Sequence, residues 1–381
     1  MLTILVFIVI LGFLVFIHEL GHFLVARRNG IKAEEFGFGF PPRAVGIVKD
    51  EKTKKWNWIW GGKHVESANT IYSLNWFPIG GFVRIKGENG DEKDTKDSFA
   101  SKPAWARIKV LAAGVLMNFF FAWILFSIGF MLGTPQEVED PNTPGSYILI
   151  DKIEDNSPAS SMGIKMGDVI GMKQIGKDGK AVVLKTTEDV QNFINSHANE
   201  KVSLKIKRGK ENLALSGTPK VSEEDGKARL GIGLVQVAKI SYSPLAALGK
   251  GLAELGSVFV LMITVLKMLL AGNKSGMEVT GVVGIAVYTG QIIPLGLAYL
   301  MRFAAILSVN LGVINALPIP ALDGGRILFI LIEKIKGSPV SQKVEQIFHT
   351  VGFALLMALM VFVTYRDFLK FDIIDKIKGI F

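Results

Sequence analysis

The sequence predicts a polytopic α-helical membrane protein of about four transmembrane helices, with a membrane-associated β-region and an inserted α+β domain. Three observations carry this. Residues 2 to 17 hold no charge, and the runs 110–133 and 346–365 are also uncharged except at their rims. Each is long enough to cross a bilayer, which takes about 20 apolar residues. The run 303–322 is uncharged too, but Pro318 and Pro320 interrupt it. In contrast, residues 134–250 carry 16 Lys and Arg and 15 Asp and Glu, the mixture of a water-facing domain.

Composition narrows the chemistry. Of 381 residues, 49% are hydrophobic, which is apolar for a soluble protein and modest for a pure membrane bundle. With no cysteine, disulfides and thiolate metal sites are excluded, so a metal must use His, Asp or Glu. The net charge of +9 does not call for a nucleic-acid partner. Lys and Arg gather at the cytoplasmic ends of spans in any membrane protein.

The elements follow in order. Residues 1–27 read as the first transmembrane helix, retained and not cleaved, because a basic leader and a small-residue cleavage site are lacking. Residues 28–104 form a cytoplasmic-side loop with membrane-associated strands. Within it, Trp56–Trp60 and Ile71–Trp76 are aromatic and β-branched, and Phe77–Arg84 reads as a turn entering a further strand. Its tryptophans suit a membrane interface or the surface of an ordinary small sheet. Residues 105–134 form the second span. In 140–237, Tyr147–Ile153 and Val202–Arg208 read as strands, and Thr186-Thr187-Glu188-Asp189 starts a helix running to about His197. Residues 245–301 read as amphipathic or membrane-associated helices, 302–326 as a proline-broken span, 344–366 as the last span and 367–381 as a tail.

Orientation follows from charge. The 27–109 segment has 16 basic against 10 acidic residues, with Arg27 and Arg28 directly after the first span. It is therefore cytoplasmic, and the domain after the second span is outside.

Chemistry concentrates in His18-Glu19-Leu20-Gly21-His22, an H-E-x-x-H pattern inside the first span. Imidazoles four residues apart share one helix face and can bind one metal ion. The glutamate between them can handle the proton of a metal-activated water. As plain helix-face groups they would be costly at that depth. A third ligand is needed. His64 and His197 fall in polar segments, and His349 is a candidate ligand that reads more simply as a histidine at the entrance of the last span. Asp323 is the better candidate: it ends the 20-residue uncharged run, where a carboxylate needs a counter-charge. Pro318, Pro320, Gly324 and Gly325 would unwind the backbone and let it reach the first helix.

Together these motifs resemble the site-2 protease family of intramembrane zinc metalloproteases, the bacterial sigma-E-regulator type in particular. The resemblance rests on HELGH in a first span and on Asn315-Ala316-Leu317-Pro318-Ile319-Pro320-Ala321-Leu322-Asp323-Gly324-Gly325 in a late one. Pro78-Ile79-Gly80-Gly81-Phe82-Val83, Asn118-Phe119 and Thr280–Ile285 are further matches. Residues 156–170 resemble the signature of PDZ domains, which bind extended peptides by strand addition. Val115 and Val282 stand where the family usually has proline, Met162 stands where PDZ domains usually have alanine, and one PDZ signature is visible.

The resemblance implies a Zn2+-dependent endopeptidase that cleaves transmembrane segments of single-span proteins, such as anti-sigma factors or remnant signal peptides, in regulated intramembrane proteolysis. It implies a bacterial inner-membrane location, the active site toward the cytoplasm and the PDZ domain outside or periplasmic. Partners would be transmembrane substrates, the lipid bilayer and a peptide ligand of the PDZ domain, unless that domain only excludes bulky substrates. His18, His22 and Asp323 would bind zinc and Glu19 would activate water. Asn315 would steady the oxyanion or substrate backbone, and Asn118, Gly80 and Gly81 would bind substrate. For Asn315 and Asn118, hydrogen bonding between helices is the simpler alternative. Two other classes remain at this stage: a proteolytically silent adaptor acting through the PDZ domain, and a transporter with broken helices.

Overall fold

The computed structural model describes residues 2–371 except 63, 64, 66, 91, 93, 155, 177, 178, 210, 223–225, 273–279 and 339. His64 and the tail beyond Phe371 therefore lie outside the described residues. The chain forms two compact units: Met1–Phe126, Leu248–Thr289 and Arg302–Phe381 make one, and Ser127–Ala247 with Gly290–Met301 the other.

The first unit begins with α1 (Leu2–Arg28). Arg27 and Arg28 in its last turn complement the carbonyl end of the helix dipole. Gly30, at φ 64°, then turns the chain into β1 (Ala33–Lys49). With β2 (Trp56–Trp60) and β3 (Ile71–Ile85) it makes a three-stranded sheet in the order β2-β1-β3. The long strands fold back on each other. Trp58, Ile47, Tyr72, Phe36 and Val83 are successive partners in one row across the sheet. The last segment of β3, Gly81–Ile85, is therefore the outer one in that row. β3 is one strand bent at Gly80, at φ 85°, where the sequence suggested a turn between two strands. Gly12 and Gly81 let α1 lie close against it: an added Cβ on Gly81 would stand 2.9 Å from Phe16 Cα.

Helix α2 (Ala104–Leu132) starts after Pro103, a residue suited to a first turn. It runs unbroken through Val115, whose backbone N–H is kept where the family's proline would remove it. The end of α1, the end of β3 and the start of α2 share a core of Ala26, Ile31, Ile85, Phe99, Val110, Leu111 and Ile330.

The second unit is a six-stranded sheet with two short pairs and two helices. Its strands are β4 (Thr134–Glu137), β5 (Ser146–Ile153), β6 (Val169–Ile170), β7 (Lys173–Ile175), β8 (Ala181–Val183), β9 (Val202–Arg208), β10 (Glu211–Gly217), β11 (Lys220–Val221), β12 (Ala228–Arg229) and β13 (Ile232–Ile240). The large sheet runs β10-β9-β6-β5-β13-β4. Helix α3 (Pro158–Met162) is the turn the PDZ-like signature encodes: Ser157 caps it, Pro158 opens it and Gly163, at φ 75°, closes it. Met162 is buried, and Gly217 supplies the space for it. The signature's Asp168 is buried and takes two bonds from Arg208, both 2.7 Å. Thr186 and Asp189 form a reciprocal capping box for α4 (Thr187–Ser196), as the sequence indicates.

The chain returns through α5 (Pro244–Leu270), α6 (Val282–Ile292), α7 (Leu297–Ala316), α8 (Asp323–Lys336) and α9 (Gln342–Lys370). Among the described residues five helices are long and apolar enough to cross a membrane: α1, α2, α5, α7 and most of α9. The sequence reading expected about four. Lys267 near the end of α5 gave that helix an amphipathic look, but it lies in the last turn, beside the helix end. The buried Asp367 of α9 accepts bonds from the amides of Gly281 (3.0 Å) and Gly284 (2.8 Å), anchoring the start of α6.

Candidate metal centre

Between α7 and α8 the chain makes a tight turn. Ala321 has φ 68°, a conformation that costs a residue with a Cβ about 1–2 kcal/mol. His349 of α9 helps to hold it: its Nδ1 accepts a bond from the Ala321 amide at 2.9 Å. A Cβ on Gly324 or Gly325 would meet the carbonyls of Ala316, Leu317 or Ile319, so only glycine fits so close a return. The turn sets Asp323 as the first residue of α8.

There it meets α1. Asp323 Oδ2 lies 3.0 Å from His18 Nε2 and 3.4 Å from His22 Nε2. The two Nε2 atoms are 3.1 Å apart. In a tetrahedral zinc site with bonds of about 2.0–2.1 Å, ligand atoms stand about 3.3–3.4 Å from one another. One observed edge, 3.4 Å, has that length, and the other two, 3.0 and 3.1 Å, are slightly shorter. The donor set of two imidazoles and a carboxylate suits zinc, and Asp323 Oδ2 is a buried oxygen without a hydrogen-bond partner. His18, His22 and Asp323 are the one group of this kind among the described residues.

The surroundings orient the rings. His22 Nδ1 donates to Val110 O at 2.8 Å, which leaves Nε2 free to coordinate. His18 Nδ1 is 3.0 Å from the amide of Asn118, a residue with no exposed surface. With its oxygen turned toward the ring, that amide accepts the Nδ1–H bond that an Nε2 ligand requires. The position expected to touch substrate thus lies behind a histidine, outside the cavity. Gly114 of α2 faces both rings: an added Cβ would collide with His22 and stand 2.8 Å from His18 Cε1. Gly21 approaches Ala113 and Gly114 as closely, so α1 and α2 meet through small residues. The run Ala112-Ala113-Gly114 was the available sequence signal for this contact, and the sequence reading missed it.

The centre opens into a cavity of about 270 Å³. Glu19, Asn315, Val83, Ile85 and Glu88 help to line it. Glu19 Oε2 accepts a bond from the Val83 amide at 3.2 Å, so the sheet's outer segment touches the glutamate directly. Gly80 and Gly81, expected to hold substrate, lie where β3 packs against Val15 and Phe16 of α1. The strand reaches the cavity later, at Val83 and Ile85. His349 stays outside the metal-competent group, bonded to the Ala321 turn.

The fold and this cluster define a membrane protein with a metal-competent pocket built on its long apolar helices. The chain belongs to peptidase family M50, whose family model matches residues 6–359. It is 29% identical to the regulator of sigma-W protease RasP of Bacillus subtilis, over 96% of this chain and 98% of that protein. It is 30% identical to the zinc metalloprotease RasP of Geobacillus kaustophilus, over 97% and 98%. A putative zinc metalloprotease of Clostridium perfringens is 35% identical, over 93% and 95%. Among solved structures, the PDZ domain of an SdrC-like protein from Listeria monocytogenes matches 23% of this chain and 87% of its own, at 23% identity and a TM-score of 0.20.

Proposed function

We propose that the protein is a zinc-dependent endopeptidase that cleaves peptide bonds within membrane-spanning segments. The observation that carries this reading is the meeting of Asp323 with His18 and His22 at 3.0 and 3.4 Å, beside Glu19. His18, His22 and Asp323 would hold the ion. Zinc bound there would supply Lewis acidity for a water and a scissile carbonyl.

The chain's own groups do the rest. Glu19, held by the Val83 amide, takes a proton from the attacking water and passes it to the leaving nitrogen. The Asn315 amide, on the cavity wall, donates to the oxygen on which charge develops. A substrate helix hides its amides in its own hydrogen bonds, so it must be drawn out before cleavage. The edge at Val83 and Ile85 is suited to receive it as an added strand.

The substrates would be single-span membrane proteins, such as anti-sigma factors or remnant signal peptides. The basic residues after α1 support a bacterial inner-membrane protein with its active site toward the cytoplasm and residues 140–237 outside. We read that domain as a PDZ module that screens substrates. Its cavity of about 450 Å³, lined by Val182, Leu184, Phe193 and His197, would take an extended peptide.

The test is Glu19→Gln in the full-length protein. It should abolish cleavage of a membrane-spanning peptide while zinc stays bound. Cleavage at the unchanged rate would overturn the proposal. Capture of peptides that accumulate with this variant identifies the substrate.

A further inference from the structure

Beside the catalytic cavity lies a second, larger one that the proposed chemistry does not use. Its volume is about 630 Å³. Glu88, Phe99 and Leu111 line both cavities. Elsewhere the second one is mixed, with Arg107, Glu333, Lys343, Gln346 and Thr350 on its wall beside Phe329, Ile330 and Val340. Lys343, Gln346 and Thr350 are exposed, so this end is open.

At the boundary Arg326 Nη1 donates to Glu88 Oε1. Both partners are tied to the centre. Arg326 lies about one turn along α8 from Asp323, and Glu88 follows β3, the strand that holds Glu19. The pair is part-exposed, with side chains 31% and 29% accessible, so it can part without stranding a buried charge.

We propose that the Glu88–Arg326 ion pair is the gate through which cleaved peptide ends leave the catalytic cavity. The inference rests on the proteolytic reading. Hydrolysis changes the charge of what the cavity holds. The water oxygen joins the acyl carbon, the C–N bond breaks, and both water protons end on the nitrogen. A neutral amide becomes a carboxylate and an ammonium. Apart from Glu88, the polar part of the cavity wall is the metal centre with Glu19 and Asn315, and Val15, Val83, Ile85, Val110 and Leu311 give ends that move off that centre no partner. Arg326 can take the carboxylate in a bidentate bond, and Glu88 can take the ammonium. Each product end replaces one partner of the pair, so the gate opens by exchange, in response to the reaction itself. The cavity beyond then carries the ends outward.

The lack of any cysteine allows a clean test. Thr350→Cys places one thiol on the wall of the second cavity, at a residue that does not line the catalytic one. A polyethylene glycol attached there through a disulfide would plug the cavity and could be removed with reductant. The probe is a fluorogenic peptide of about 20 apolar residues between lysine flanks, cleaved by full-length enzyme in detergent. Glu19-dependent cleavage by the unplugged enzyme is established first; its absence would sink the proteolytic reading and the gate with it, whereas the outcomes that follow bear on the gate alone.

With the plug, cleavage in enzyme excess should stay within about twofold, while steady-state turnover falls at least about tenfold because release becomes limiting. Reductant should restore it. Arg326→Gln should show the same split, and Arg326→Lys should recover most of the turnover. Steady-state turnover that the plug leaves unchanged would overturn the gate. So would an equal fall in the first turnover, which would make the cavity a route for water or substrate.

Discussion

Replacing Asn118 by leucine should weaken zinc binding without unfolding the protein. The Asn118 amide lies 3.0 Å from His18 Nδ1 in a fully buried position. Leucine keeps the number and branching of the side-chain heavy atoms, and its larger volume costs about 1–3 kcal/mol of overpacking in the core. The helix contact through the Asn118 carbonyl, which accepts from Ser308 Oγ at 2.8 Å, is made by the backbone and survives. What disappears is the partner of His18 Nδ1. A buried polar group left unpaired costs about 1–3 kcal/mol. Loss of such a ring-orienting partner lowers metal affinity about 10–100-fold. At 1.36 kcal/mol per factor of ten, that is about 1.4–2.7 kcal/mol, so the two routes agree. The assay is competition for zinc between a chelator and the full-length protein. Asn118→Asp is the companion variant, since a carboxylate still accepts from the ring and should keep zinc bound. The reasoning fails if Asn118→Leu holds zinc as tightly as the parent, or if Asn118→Asp weakens it as much.

Three further outcomes are expected. Gly114→Ala should remove both zinc and cleavage while leaving the helical circular-dichroism signal intact, because alanine favours a helix but its Cβ would collide with His22; retained zinc would refute the packing. Glu35 and Arg43 form a buried pair in the sheet, with bonds of 2.8 and 2.7 Å. Burial alone would raise the Glu35 pKa, but the bonds from Arg43 and the charges of Arg43 and Arg84 hold it below the usual carboxylate value. Its stabilisation is therefore complete above about pH 4.3, the unfolded value, and is lost as pH falls through the lower folded one. Replacing both residues by apolar ones should flatten the acid side of the thermal stability profile, and Arg43→Ala alone should cost about 3–5 kcal/mol; an unchanged acid limb would contradict the assignment. Asp367→Ala removes the carboxylate that holds the Gly281 and Gly284 amides and should cost about 0.5–2 kcal/mol, read as a lowered midpoint of thermal unfolding; a midpoint equal to the parent's would refute the anchoring role.

Much of the fold was legible in the chain because its strongest signals are local. Uncharged length marks the spans, and the Thr186 to Asp189 box marks the start of α4 to the residue. α5 was harder, since one lysine in its last turn lowers the apparent apolarity of a helix long enough to cross. The packing partners of Asn118, Gly80 and Gly81 were not legible in the sequence for one common reason. A polar or glycine residue can serve a ligand or a neighbouring helix, and nothing in sequence spacing separates the two.

The sequence by itself determined the chemistry at hand. Two imidazoles and a glutamate on one turn of an uncharged helix need a cation, and spacing alone puts them on one face. It also determined that the third donor must be oxygen or nitrogen, since the chain has no thiol. Only the tertiary structure decided how that donor arrives. Asp323 is 301 residues beyond His22, and the approach depends on the Ala321 turn, the carbonyls that crowd Gly324 and Gly325, and the His349 bond. The same holds for the Val83 amide on Glu19 and the Glu88–Arg326 pair. These are contacts between segments far apart in the chain. They are set by packing geometry, which no local pattern of residues encodes.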